Sequence, residues 1–166
     1  MVLQIMNKNE LRTVLRQSRE NLSASDIAAK SAKITELALD SIDWSAVKNL
    51  HIYSSVDEWS EVDTKDLVRK ISVRWPAIKI VQPQLSRDNP ILKGAFDVII
   101  VPTLGFDKTR NRLGLGGGWY DKFLATQPEA LKVGLAFNSG LVENGLEPES
   151  HDISLDKIIT EQGIIA

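Results

Sequence analysis

Four glycines occupy five consecutive positions, 114 to 118, of the segment Arg110-Asn111-Arg112-Leu113-Gly114-Leu115-Gly116-Gly117-Gly118-Trp119-Tyr120-Asp121. Missing Cβ atoms let a ligand approach the backbone. Successive exposed N–H groups form a concavity that favours anions. A helix starting behind them, near Gly118, would add free N–H groups and the positive end of its dipole. Arg112 can hold two phosphate oxygens at once. Asp121, one turn into that helix, is placed to hold a magnesium ion that neutralises phosphate charge. The set describes a cradle for nucleotide phosphates. It is not a Walker A loop, because no Lys-Ser/Thr pair follows the last glycine, nor a dinucleotide fingerprint, because Trp119 stands in the place of the third glycine. The alternative is a glycine-rich turn that binds nothing.

The surrounding pattern says what must position this loop. Asn7 with Glu10 forms a capping-box variant that opens a helix, and Leu11, Val14, Leu15 and Leu22 then share one side of it. Lys8, Arg12, Arg16 and Arg19 run beside them as a stripe. Ser23 with Asp26 starts a second helix, with Ile27, Ser31, Ile34 and Ala38 on one face. A third runs from Asp63 or Thr64 to Trp75-Pro76, where proline stops it. Strands are expected at Val47–Tyr53, Ile78–Val81, Phe96–Val101, Leu131–Phe137 and, more weakly, Lys157–Thr160. The apolar run Phe96–Val101 suits a strand covered on both faces. Alternating strands and helices give an α/β fold, a single three-layer domain over residues 1–166 with a mostly parallel, Rossmann-like sheet and helices on both faces. Ligands bind beyond the carboxyl ends of such strands, and the glycine loop follows one directly.

Composition narrows the function. Net charge is −2, which offers no basic field for nucleic acid. Cysteine is absent, which excludes disulfides, thiolate metal sites and a cysteine nucleophile. His51 and His151 are the only histidines, too few for an ordinary zinc set. No stretch has the roughly 18 apolar residues of a membrane helix, and Met1–Asn7 lacks the charged-then-apolar form of a signal peptide. A cytoplasmic protein is expected, a monomer or weak homodimer.

Val101–Asp107 (Val-Pro-Thr-Leu-Gly-Phe-Asp) followed by Arg112–Asp121 resembles the signature of the 5-formyltetrahydrofolate cyclo-ligase family, also called methenyltetrahydrofolate synthetase. Three further segments agree in order: Lys8-Asn9-Glu10-Leu11-Arg12, Glu61-Val62-Asp63-Thr64, and His151-Asp152 with Leu155–Thr160. The resemblance implies ATP- and magnesium-dependent cyclisation of 5-formyltetrahydrofolate to 5,10-methenyltetrahydrofolate, with release of ADP and phosphate. By matching positions it implies ATP contacts at Lys8, Arg12, Arg112, Leu113, Gly114, Leu115, Gly116, Gly117, Gly118, Trp119 and Tyr120. Arg112 and Asp121 would be catalytic, and Asp121 with Asp156 would hold magnesium. Folate contacts fall on Val56, Glu61, Leu115, Gly116, Gly117, Gly118 and Trp119.

Blander roles compete at several positions. Arg16 and Arg19 read as a solvated face, His51 as a structural residue of a strand. One of Trp119 and Tyr120 is a core aromatic, leaving the other to stack on a flat ring. Asn111 stands where the family often has glycine, and asparagine tolerates positive φ. Between Pro83 and Phe96 the chain is shorter than is typical of the family, and within Gln84–Ala95 the polar, turn-rich Ser86–Pro90 is expected as an exposed loop. Two other functions fit the same residues: an ATP-dependent enzyme with a different amide-like substrate, and a nucleotide- or folate-binding module without turnover.

Overall fold

A computed structural model of the chain describes residues 6–83 and 90–166. Helix α1 (Lys8–Glu20) starts on a complete capping box. The Asn7 side chain accepts from the Asn9 and Glu10 amides, and Glu10 accepts from the Asn7 amide. Ser23 and Asp26 do the same for α2 (Ala24–Ser41). Each box satisfies amides that a helix start leaves without partners. Strand β1 (Asn49–Ile52), helix α3 (Lys65–Arg74), and strands β2 (Lys79–Val81) and β3 (Val98–Pro102) follow. A small antiparallel hairpin joins β4 (Gly105–Phe106) to β5 (Arg112–Leu113). Helix α4 (Trp119–Ala125) and strands β6 (Leu131–Leu135), β7 (Lys157–Thr160) and β8 (Gly163–Ile165) complete the order.

The sheet runs β2-β1-β3-β6-β7-β8, parallel except for β8. Alternation assigns its faces. Leu50, Ile52, Val98 and Ile100 meet Ile34 and Ala38 of α2 and Leu67 and Ile71 of α3. Ile99 and Val101 point the other way, onto Trp119, Phe123 and Leu124 of α4. Both faces are therefore covered, as the apolar run of β3 requires. Helix α1 sends Leu15 into a third cluster with Leu104, Leu113 and Leu146. From β1 the chain crosses to β2 on one side, and from β3 to β6 on the other. That reversal leaves a crevice at the carboxyl ends of β1 and β3, the place where open α/β sheets take ligands. Among the described residues no helix is long and apolar enough to cross a membrane.

Several local expectations change. Val14 is exposed rather than packed, because only the Leu11 and Leu15 side of α1 meets the rest of the chain. In the turn before β5 the left-handed residue is Arg110, at φ 67°, not Asn111. Asn111 instead donates its side-chain amide to Asp107 Oδ2 at 3.0 Å. Most of the polar part of Gln84–Ala95 lies outside the described residues; Ile91 and Leu92, just after it, are half-buried against the α4 face of the sheet.

Candidate active site

The crevice is walled on one side by the segment leaving β1. The Tyr53 hydroxyl donates to the Val62 carbonyl at 2.7 Å, and the Thr64 hydroxyl donates to the Tyr53 carbonyl at 3.0 Å. These ties fold the segment back on itself and turn Glu61 inward. Its carboxylate is buried and accepts from the Val56 amide at 2.9 Å. Burial pushes the Glu61 pKa up, against the opposing pull of that amide and of Arg19.

The opposite wall is the glycine turn, which hangs from the β4–β5 hairpin. Asp107 anchors that hairpin. It accepts from the Thr109, Asn111 and Leu146 amides at 2.9, 3.0 and 2.9 Å. Burial opposes its ionised form, yet these bonds win and hold its pKa below the usual range. Gly116 and Gly118 take left-handed conformations, φ 97° and 67°, which glycine enters without strain. Arg12 reaches across from α1 and donates from Nε to the Gly114 carbonyl at 3.0 Å. A Cβ on Gly116 would sit 3.5 Å from the Arg12 guanidinium carbon.

Behind the turn, Arg112 Nη2 donates to Asp121 Oδ1 at 2.7 Å, and the Ile153 amide donates to the same oxygen at 3.2 Å. Arg112 Nε is buried without a partner among the described residues. The Arg112 guanidinium carbon lies 5.9 Å from the Tyr120 ring centroid. Tyr120 is also in hydrogen-bond contact, at 3.1 Å, with His51 Nε2. His51 is fully buried among Phe96, Trp119, Tyr120 and Phe123. Burial lowers its pKa to about 4, so it is neutral at pH 7.

Lys8, Arg12, Val56, Glu61, Arg112, Leu113, the four glycines, Leu115, Trp119, Tyr120 and Asp121 all line one groove. Trp119 is the core aromatic of its pair, while Tyr120 is half-buried at the groove wall. Asp156 does not join Asp121. Its Oδ2 accepts from the Lys132 amide at 2.7 Å, at the amino ends of β6 and β7, the far end of the sheet. The carboxylate that does line the groove is Asp152, which accepts from Lys8 Nζ at 2.6 Å. It directly precedes Ile153, whose amide binds Asp121. Arg19, read from sequence as solvated, is only 7% exposed and lines the inner end of the groove. The polar His151-Asp152 pair could have pointed to Asp152; nothing in the charged stripe of α1 marked Arg19.

Magnesium takes hard oxygen ligands, and the groove offers them. Asp121 and Asp152 are both half-buried at its wall, and Glu149, His151 and Asp152 bring ligand atoms within 4.8 Å of one another. These carboxylate oxygens are the donor type that the ion takes, and Arg112 and Lys8 each hold one of the two half-buried carboxylates.

A sequence model of the 5-formyltetrahydrofolate cyclo-ligase family matches residues 71–161. This chain belongs to the 5-formyltetrahydrofolate cyclo-ligase family. A cyclo-ligase of that name from Haemophilus influenzae is 29% identical over 183 residues, covering 92% of this chain and 96% of the relative. One from Escherichia coli K12 is 38% identical over 89 residues, covering 50% of this chain and 46% of the relative. The structure of a 5,10-methenyltetrahydrofolate synthetase from Aquifex aeolicus superposes with a TM-score of 0.76 at 26% identity, over 96% of this chain and 92% of that one. The Mycoplasma pneumoniae synthetase shares the fold, with a TM-score of 0.79 at 24% identity, over 94% and 99%. In cyclo-ligase terms the groove joins two ends of different chemistry, a glycine turn with cations at one and the buried Glu61 at the other.

Proposed function

We propose that the chain is a 5-formyltetrahydrofolate cyclo-ligase that couples ring closure to ATP cleavage. One observation carries the reading: the Arg112–Asp121 pair behind the glycine turn opens on the same groove as Glu61. Phosphates bound at the turn would face a substrate ring held near Glu61.

A formamide oxygen is a poor leaving group. Transfer of the γ-phosphoryl to that oxygen gives an iminium phosphate and ADP. N10 of the folate attacks the formyl carbon and loses its proton, the carbon–oxygen bond breaks, and phosphate leaves with the oxygen, able to carry that proton away. The product is the 5,10-methenyl bridge. The protein's work is to align the two substrates and hold phosphoryl charge. In this reading Arg112 donates to the transferring phosphoryl oxygens, and its unpartnered Nε supplies a donor not spent on Asp121. Arg12 and Lys8 add positive charge along the phosphate path. Tyr120 and Trp119 close the wall beside it. Asp121 and Asp152 would hold magnesium, which neutralises phosphate charge when bound.

We read the protein as a monomer or weak homodimer. We read residues 1–166 as one domain, since all three hydrophobic clusters border the same sheet and its loops. We place the reaction in the cytoplasm, where ATP is at hand. The test is to mix purified protein with ATP, magnesium and 5-formyltetrahydrofolate and follow the methenyltetrahydrofolate absorbance. A rise that needs all three supports the reading; no rise at any protein concentration rejects it.

A further inference from the structure

Arg19 closes the last turn of α1 at the inner end of the groove, beside Tyr53, Glu61 and Leu104. It is 7% exposed, and its Nε is buried with no hydrogen-bond partner among the described residues. Glu61 lies close enough to interact with it through space. The two nevertheless make no hydrogen bond to each other. Glu61 Oε2 is turned to the Val56 amide instead. A buried cation is costly unless it is paired and hydrogen-bonded. A purely structural pair would close into the fork contact that arginine and carboxylate favour. Here a donor and an acceptor stand apart at the end of an open groove. A ligand that satisfies both offers an acceptor to Arg19 and, close by, a donor to Glu61. Leu104, Pro102 and the Tyr53 ring supply apolar surface next to them.

We infer that Arg19 is a binding and positioning residue for the folate ring, donating to its ring carbonyl while Glu61 accepts from the N–H groups beside it. The inference rests on the cyclo-ligase reading. The pterin ring of 5-formyltetrahydrofolate offers both on one edge: a carbonyl, then a ring N–H, then an amino group. Holding that edge at the bottom of the groove sets where the formyl group stands relative to the glycine turn. Among the described residues, the inner pocket that Arg19 lines includes Tyr53, Glu61 and Leu104 and none of the glycine turn.

The test uses Arg19→Met and Arg19→Lys, with KM measured separately for 5-formyltetrahydrofolate and for ATP. Arg19→Met should raise the folate KM by about tenfold or more, the loss of a hydrogen bond from a charged donor, and leave the ATP KM within about twofold. Arg19→Lys should recover part of the folate KM, because a carbonyl needs one donor rather than a fork. A role in folding alone would lower the melting temperature and move both KM values together, or neither; either result overturns the inference. Should Arg19→Met fail to fold, Arg19→Lys carries the test alone, with a folate KM raised a few-fold at constant ATP KM. Wild-type protein without any turnover removes the function itself, and the inference falls with it. Wild-type turnover with an unchanged folate KM in both variants removes only the inference.

Discussion

Arg112 and Asp121 face each other at 2.7 Å across the base of the glycine turn, with the arginine side chain 5% exposed and the carboxylate 17%. The pair is neither a surface bridge nor a sealed core pair. A second donor, the Ile153 amide, fixes the same carboxylate oxygen. Strand β5 supplies the cation and α4 the anion, so the hairpin and the helix must dock correctly before the pair exists.

Arg112→Ala should cut kcat by about two orders of magnitude, the usual cost of losing a preorganised donor to transition-state charge. Arg112→Lys should recover only part of it, because lysine lacks the planar fork. Steady-state kinetics at saturating ATP distinguish the cases; full activity in the lysine variant would show that a single point charge is enough.

Asp121→Asn should abolish most turnover while leaving the melting temperature nearly unchanged. Asparagine keeps a side-chain oxygen for the Ile153 amide and for Arg112 but loses the charge that attracts magnesium. Asp156→Asn should leave activity at the wild-type level, since its carboxylate serves the Lys132 amide at the opposite end of the sheet. Titrating magnesium against both variants checks the contrast. Equal loss in the two would contradict the placement.

Much of this arrangement can be read in the sequence, for physical reasons that differ by element. Capping boxes at Asn7–Glu10 and Ser23–Asp26 act locally, so residue type and spacing suffice to find the starts of α1 and α2. Strand β3 is apolar on both faces because both are covered, and the run itself shows it. Strands β4, β5 and β8 are two or three residues long, too short for any period to register. Arg19 follows Lys8, Arg12 and Arg16 at helical spacing, so its charge reads as solvated. Its burial depends on α1 lying across the carboxyl end of the sheet, a tertiary fact. Asp156 and Asp152 are four residues apart, but the chain between them descends from the groove to the far end of the sheet. Motif order alone does not separate them.

Gly116→Val should weaken ATP binding more than it weakens the fold. The residue sits at φ 97°, which a β-branched side chain resists, so the turn must change its backbone to accept valine, while the Cβ itself would only reach van der Waals contact with the Arg12 guanidinium. Gly134→Ala should do the reverse. Its Cβ would come within 2.6 Å of Leu155 and 2.7 Å of the Thr103 hydroxyl in the sheet interior, an overpacking that costs about 1–3 kcal/mol. Calorimetric ATP affinity and denaturant midpoints, measured on both variants, should show opposite patterns.

His51 should make the fold acid-sensitive. Its folded pKa is about 4, below the ordinary value of 6.5, because burial disfavours the charged ring. The unfolded chain therefore binds more protons between these values, and stability rises with pH across that window. The contribution is complete above about pH 6.5 and is lost as pH falls towards 4, in total about 3 kcal/mol. His51→Gln keeps a side chain able to bond the Tyr120 hydroxyl and removes the titration. The difference in unfolding free energy between wild type and variant should narrow steadily from pH 7 to pH 4. A constant difference would mean that His51 stays uncharged in both states or charged in both.

The coupling of ring closure to ATP cleavage is tested most directly by stoichiometry. Phosphate release and methenyltetrahydrofolate absorbance are recorded in the same reaction, with magnesium present and 5-formyltetrahydrofolate limiting. The account predicts one phosphate for each ring closed, and background release only when the folate is left out. Phosphate release that ignores the folate, or ring closure that proceeds without ATP, would contradict it.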